Sequence, residues 1–190
     1  MPKAIVGITG RTGSGKSMAC EWILESIPNV EHIDCDHVGH KVLEMPDVKP
    51  KLLAAFGPTI QGDGAINRKA LGHIVFNNKR KLEQLNDIVH PKICDEVRST
   101  INSTKKNVVI IEGALIHQVG LEHMCTHTIC IDSPTATILA RRPNNENILS
   151  KQPKANDYIN MCHHTIKNNT SIALFKEKIT QLFLRIGISS

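Results

Sequence analysis

Gly10-Arg11-Thr12-Gly13-Ser14-Gly15-Lys16-Ser17 is the stretch that decides how the chain folds. A glycine, four spacer residues, then Gly-Lys-Ser is the spacing of a phosphate-binding loop. Glycines let the backbone wrap closely around phosphates, with amide N–H groups pointing inward. A helix opening near Ser17 adds the positive end of its dipole. The Lys16 ammonium supplies a mobile point charge for the outer phosphates. The Ser17 hydroxyl suits a magnesium ion. Thr12, Gly13, Ser14, Gly15, Lys16, Ser17 and the backbone of Met18 are therefore the expected nucleotide contacts. Context separates such a motif from chance. Residues 4–9 are short, apolar and β-branched, as a buried strand is. Residues 17–27 read as a helix that Pro28-Asn29 ends. Strand, loop and helix in that order are the setting the motif requires.

Further from the loop, residues 30–34 read as a second strand. The chain thus opens with the unit that builds a parallel sheet covered on both faces. Residues 107–112 and 126–132 read as further strands, and 165–167 as a short one. A helix follows Ser133-Pro134, with Ser133 as N-cap and Pro134 at the first helical position. An amphipathic helix spans 171–185. The middle is helical, with segments at 37–43, 48–56, 68–76, 78–88 and 91–101 and a turn at Gly62-Asp63-Gly64. Residues 143–154 are polar and Asn-rich and read as a mobile loop.

Ligands of open parallel sheets bind beyond the carboxyl ends of the strands. Asp34-Cys35-Asp36 stands at that end of the second strand, and alternation sends both carboxylates the same way. One of them can accept the proton of an attacking hydroxyl or hold magnesium-bound water. The plainer alternative is a helix N-cap and a solvated acid. Glu112 ends the next strand, either near the metal's outer shell or capping a helix. Arg68 opens a helix, and Arg141 and Arg142 end another just before the polar loop. Arginines near a triphosphate neutralise charge that develops in phosphoryl transfer; the alternative is a surface ion pair. His123-x-Cys125-x-His127-x-x-Cys130 has ligand residue types, but its spacing fits no zinc pattern and Cys130 falls in a buried strand. It reads as structural, and so does Cys162-His163-His164.

The 190 residues suit one compact domain. A formal net charge of +5 favours anionic partners. One Trp, one Tyr and four Phe make no platform for stacking bases, which argues against a nucleic-acid partner. Six cysteines include no Cys-x-x-Cys pair, no stretch is apolar for long enough to span a bilayer, and because Gly7 and Gly10 interrupt the first apolar run no signal peptide is expected there. The expectation is a cytoplasmic chain with reduced thiols, no membrane partner, and a monomeric or weakly homo-oligomeric state.

In their order and intervals, these residues resemble the dephospho-CoA kinase family, whose members perform the last step of coenzyme A synthesis. The resemblance covers nearly the whole chain. It is carried by Ile8-Thr9-Gly10 through Ser17, Ile33-Asp34-Cys35-Asp36, Phe56-Gly57 and Asp63-Gly64-Ala65-Ile66-Asn67-Arg68-Lys69-Ala70-Leu71. Val75-Phe76, His90-Pro91-Lys92-Ile93, Asp132 to Arg141 and Ile166-Lys167-Asn168-Asn169 complete it. The resemblance implies an α/β fold, a three-layer α/β/α P-loop NTPase with a parallel sheet, a helical substrate-binding lobe and a short lid. Within one domain at 1–190, the core would be 1–36, 105–142 and 164–190, the lobe 37–104 and the lid 143–163. It implies ATP and Mg2+ as cofactors and dephospho-CoA as the small-molecule substrate. Asp36 would be the base, Lys16 a catalytic phosphate ligand, and Arg68 and Arg141 phosphate partners. His40 stands where the family has Arg, and His117 where it has an acid. The segment between Arg142 and Gln152 is shorter than the family's lid and carries no Arg, so it is expected to hold ATP less firmly. Two alternatives stay open: a nucleoside or nucleotide kinase, and a catalytically weak nucleotide-binding homologue. A regulatory GTPase is disfavoured, because no Asn-Lys-x-Asp follows a late strand.

Overall fold

The structure, a computed structural model, describes residues 2–189. β1 (Ala4–Thr9) runs into the glycine loop, α1 (Lys16–Ser26) leaves it, and β2 (Val30–Asp34) returns to the sheet. Next come α2 (Cys35–Leu43), α3 (Lys49–Phe56), β3 (Gln61–Gly62), β4 (Ala65–Ile66), α4 (Arg68–Val75) and α5 (Lys79–Ser103). The chain continues with β5 (Val108–Glu112), α6 (Ile116–Val119), β6 (His127–Asp132) and α7 (Thr135–Arg141). It closes with α8 (Glu146–Leu149), α9 (Ala155–Met161), β7 (His164–Lys167) and α10 (Ile172–Arg185). Two compact units result, one running through Asp34 and again from Ile101 onward, the other spanning Cys35–Thr100.

The first unit carries a five-stranded parallel sheet in the order β2-β5-β1-β6-β7. Parallel strands are covered on both faces and read as continuous apolar runs. Val108-Val109-Ile110-Ile111-Glu112 is accordingly buried at every position. Register pairs Glu112 with Ile8 on one side and with Asp34 on the other. The ends of β1, β2 and β5 are therefore level, and the loop after β1 emerges beside Glu112. Val6, Ile8, Ile110, Ile129 and Ile131 point to the face covered by α1 and α10, where Ile23, Phe175, Ile179 and Phe183 complete an aliphatic-rich core. On the opposite face the bare Cα of Gly7 leaves room for Ile116 and Cys125. Among the described residues, no helix is long and apolar enough to cross a membrane.

The second unit is helical around one small hairpin. Leu52, Phe56, Ile60, Ile66, Leu71 and Val75 are buried. Asp63 (φ 46°) and Gly64 (φ 81°) both sit in the left-handed region, as a two-residue hairpin turn between β3 and β4 requires. The Asn67 side chain caps α4 by accepting from the Ala70 N–H at 3.0 Å. Glu44 accepts from the Ile66 N–H at 2.7 Å and pairs with Lys49 at 3.0 Å. Burial raises the Glu44 pKa, but these partners outweigh it and hold the carboxyl below its ordinary value.

Three local expectations are corrected. The helices expected at 78–88 and 91–101 are one continuous α5, with Pro91 inside it. Val89, Ile93, Val97 and Ile101 are buried at a spacing of one turn, so a single apolar stripe continues through the proline. Asp87 and Pro91 are both exposed, so the proline falls on the solvent side of the helix, away from that stripe. Ser133 does not cap α7. Pro134 takes the cap position without a side-chain hydrogen bond, and the buried Ser133 hydroxyl donates to the Asn168 carbonyl at 2.9 Å. Residues 143–154 contain a 3-10 turn, Pro143–Asn145, and the short α8 rather than irregular loop alone.

Candidate active site

Gly10, Gly13 and Gly15 all adopt positive φ. At Gly15 (φ 106°) a Cβ would collide with the Asn168 side chain, so neither the conformation nor the space admits another residue. α1 begins at Lys16 with no side-chain cap and no acid in its first turn, so no carboxylate of that turn offsets the positive end of its dipole. The Lys16 ammonium donates to the Gly10 and Arg11 carbonyls at 3.0 and 3.2 Å, so its charge stays at the loop's mouth. Met18 packs its side chain against the core and offers the site only its backbone.

Strand ends on either side brace the loop. Asn168, just past β7, donates its side-chain amide to the Ser14 carbonyl at 2.8 Å, and its own N–H bonds the Asp132 carbonyl at 2.7 Å. Arg11 donates to the Ser133 carbonyl at 2.6 Å and the Thr135 hydroxyl at 2.8 Å, and lies 3.9 Å from Asp132. These contacts fasten the loop to the ends of β6 and β7.

Glu112 serves the other side. The Ser17 hydroxyl donates to Glu112 Oε1 at 2.8 Å, and His32 Nε2 lies 3.1 Å from Oε2. Burial raises the Glu112 pKa, yet hydrogen bonds from His32, Ser17 and Cys20 together win and hold the carboxyl below its usual range. The site thus has a negative charge touching the Ser17 hydroxyl, and Glu112 does not serve as a helix cap.

Ile138 of α7 lies beside Gly13, and Arg141 and Arg142 are exposed at the end of that helix. Gln152 grips the loop from the polar segment, accepting from the Thr12 N–H at 2.9 Å and donating to the Thr12 hydroxyl at 2.8 Å. Asn145 is buried beside Gly13. Asp34 ends β2, but Cys35 already begins α2, so strand alternation does not carry on to Asp36. Asp36 lies exposed in the first turn of α2, and Arg68 lies exposed at the start of α4; both belong to the second unit.

Sequence reasoning missed Asn168, Gln152 and Asn145 as neighbours of the loop. Asn168 stood within a family-like stretch with no role attached; Gln152 and Asn145 carried no signal. Among the His and Cys residues read as structural, Cys130 is buried in β6 and Cys125 donates to the Leu121 carbonyl at 3.4 Å. Cys162 lies 3.4 Å from His117 Nε2. Its thiol is brought down to about 6, chiefly by a hydrogen bond with Cys130, with His117 adding and burial opposing.

A glycine loop at the central strand of a parallel sheet, with an acid one strand away bonded to its Ser17, defines a P-loop kinase site. The dephospho-CoA kinase family profile matches residues 4–173, and the chain belongs to that family. A dephospho-CoA kinase of Dehalococcoides mccartyi is 34% identical over 155 residues, covering 80% of this chain and 77% of the relative. The fold is shared with TT1252 from Thermus thermophilus at a TM-score of 0.81, with 21% identity over all of both chains. It is also shared with dephospho-CoA kinase from Campylobacter jejuni at a TM-score of 0.71, with 23% identity over 98% of each. As a member of this family, the chain is an ATP-dependent phosphotransferase.

Proposed function

We propose that the chain transfers the γ-phosphoryl group of Mg2+-ATP to the ribose 3′-hydroxyl of dephospho-CoA, with Asp36 as the base. The observation that carries this reading is the braced glycine loop with Glu112 on Ser17, in a chain whose family match spans residues 4–173. The loop amides and Lys16 hold the β- and γ-phosphates. Ser17 fits a magnesium ion, because the residue is exposed and its hydroxyl gives its proton to Glu112, leaving a lone pair for a cation. Bound there, such an ion neutralises charge on the β- and γ-oxygens.

Asp36 accepts the proton of O3′ while the new O–P bond forms and the bond from Pγ to the bridging oxygen of ADP breaks. Arg141, at the end of the helix that lies along Gly13, and Arg68, in the Asn67-Arg68 helix start, supply positive charge for the transferring group. The residues around 37–104 take the acceptor, and 143–163 act as the lid.

An ADP-release assay tests this. The protein with Mg2+-ATP turns over dephospho-CoA, and Asp36→Asn lowers kcat about 10²- to 10⁴-fold while ATP binding persists. No ADP above blank would remove the catalytic reading. Faster turnover of adenosine or a nucleoside monophosphate would reassign the acceptor.

A further inference from the structure

Behind the phosphate loop, three side chains of unlike chemistry converge from three rigid elements: Cys20 of α1, His32 of β2 and Glu112 of β5. The Cys20 sulfur, a His32 ring nitrogen and a Glu112 oxygen all lie within 4.8 Å of one another. Cys20 is almost fully buried and Glu112 nearly so, while the His32 side chain keeps 27% of its surface open and gives access from solvent. We infer that Cys20, His32 and Glu112 form a binding site for a divalent cation of the zinc class, distinct from a magnesium position at Ser17.

Donor chemistry selects the ion. Magnesium takes oxygen ligands in strict octahedral geometry. One sulfur, one imidazole nitrogen and one carboxylate oxygen, with a water in the fourth place, is a tetrahedral set for Zn2+ or Co2+. Bonds of about 2.0–2.3 Å put such ligand atoms about 3.5 Å apart. Closing the triad therefore asks for side-chain shifts on the order of 1 Å. All three anchors stand in the sheet or on the helix packed over it, so the arrangement is prepared before an ion arrives.

The proton count follows from the ligands. The cation replaces the Cys20 thiol proton, which leaves to solvent. Without a cation the His32 ring donates from Nε2 to Glu112; on binding, that proton leaves Nε2 through solvent, the ring carries its one proton on Nδ1, and the Nε2 lone pair takes the cation. Without a cation, burial, and then the charge and hydrogen bond of Glu112, keep the Cys20 thiol protonated. The three side chains then satisfy one another through Glu112.

Glu112 ties this site to the loop, since its other oxygen holds the Ser17 hydroxyl at 2.8 Å. A cation at the triad places positive charge one hydrogen bond from Ser17, so Zn2+ weakens Mg2+-ATP binding. That consequence rests on the proposed function; cation binding itself does not.

The test is titration of the reduced, metal-free protein with Co2+. The expected result is one Co2+ per chain with a thiolate-to-cobalt charge-transfer band. Cys20→Ala removes the band, while Cys125→Ser and Cys162→Ser keep it. His32→Gln weakens Co2+ binding on the order of tenfold or more, since even an outer-shell partner is worth about 10- to 100-fold. Absence of a thiolate band in the unsubstituted protein overturns the inference. So does a band that survives Cys20→Ala, or one that His32→Gln leaves unchanged in affinity. Because Cys20 is buried, each variant is first checked for an unchanged circular dichroism spectrum. If Cys20→Ala does not fold, the His32→Gln titration decides alone.

Discussion

The phosphate loop and the segment that reaches over it are held in opposite ways. Between Gly10 and Ser17, the loop is fastened by the Asn168 amide on the Ser14 carbonyl and by two of its own side chains, Arg11 on Ser133 and Thr135 and Ser17 on Glu112. No room exists for a side chain at Gly15. In the polar segment, Pro143, Asn144, Glu146, Ile148 and Ser150 are exposed, and the elements are a 3-10 turn and a single helical turn. Two hydrogen bonds between Gln152 and Thr12 join it to the loop. The loop's shape is thus set by several contacts, that of Asn168 buried, whereas the polar segment is joined to it by a few exchangeable ones. Such a division is expected where one element must stay fixed and its neighbour must move.

The largest effect comes from breaking the fixed side of this comparison. Gly15→Ala forces a Cβ onto the Asn168 side chain at a φ that disfavours L residues. Backbone strain alone costs about 1–3 kcal/mol, and displacing the Asn168 amide adds a lost buried hydrogen bond. ATP affinity measured by calorimetry falls about 100-fold, which corresponds to roughly 2.7 kcal/mol, and the melting temperature drops. Near-normal ATP affinity in this variant would show that the loop tolerates rearrangement, and the contrast with the polar segment would vanish.

A smaller change keeps the glycine and removes the brace. Asn168→Ala leaves the Ser14 carbonyl without its side-chain donor in a buried place. An unsatisfied buried acceptor costs about 1–3 kcal/mol. Each kcal/mol lowers the melting temperature of a chain this size by about 2–4 °C. ATP affinity falls about tenfold, less than for Gly15→Ala, because Lys16 and the helix start remain. Asn168→Asp sharpens the point: it sets an acceptor against the Ser14 carbonyl and is more destabilising than alanine. If calorimetry and melting showed the two variants to be equal and mild, the brace would be incidental to the loop.

Legibility followed the same division. The strand, glycine loop and helix at residues 4–26 were readable because their signals are local: β-branched residues, glycine spacing and a helix ended by Pro28. Glu112 was readable as a strand-end acid, though not its choice between metal shell and cap. The Asn168–Ser14 hydrogen bond was not, because it joins residues 154 apart in sequence. Ser133 followed the local capping preference only on paper, since a buried hydroxyl beside β7 found the Asn168 carbonyl first. Pro91 looked like a boundary for the same local reason, and the buried stripe from Val89 to Ile101 overrode it. Sequence patterns record what a residue prefers among its neighbours in the chain. They do not record which strand end the fold brings alongside.

The smallest effect lies on the exchangeable side, and its sign is the informative part. Gln152 Oε1 occupies the Thr12 N–H, one of the loop amides that a phosphate oxygen would use. On the proposed function, a phosphate oxygen competes with Gln152 for that donor. Removing the side chain by Gln152→Ala frees that donor and removes a competitor worth about 0.5–1.5 kcal/mol, the net value of a typical hydrogen bond. ATP binds about two- to tenfold tighter by calorimetry, while the melting temperature hardly moves because Gln152 is only partly buried. Weaker ATP binding would instead mean that Gln152 follows the nucleotide and belongs to the closed state. The polar segment would then share with Asn168 the task of holding the loop, and the two regions would differ in exposure alone.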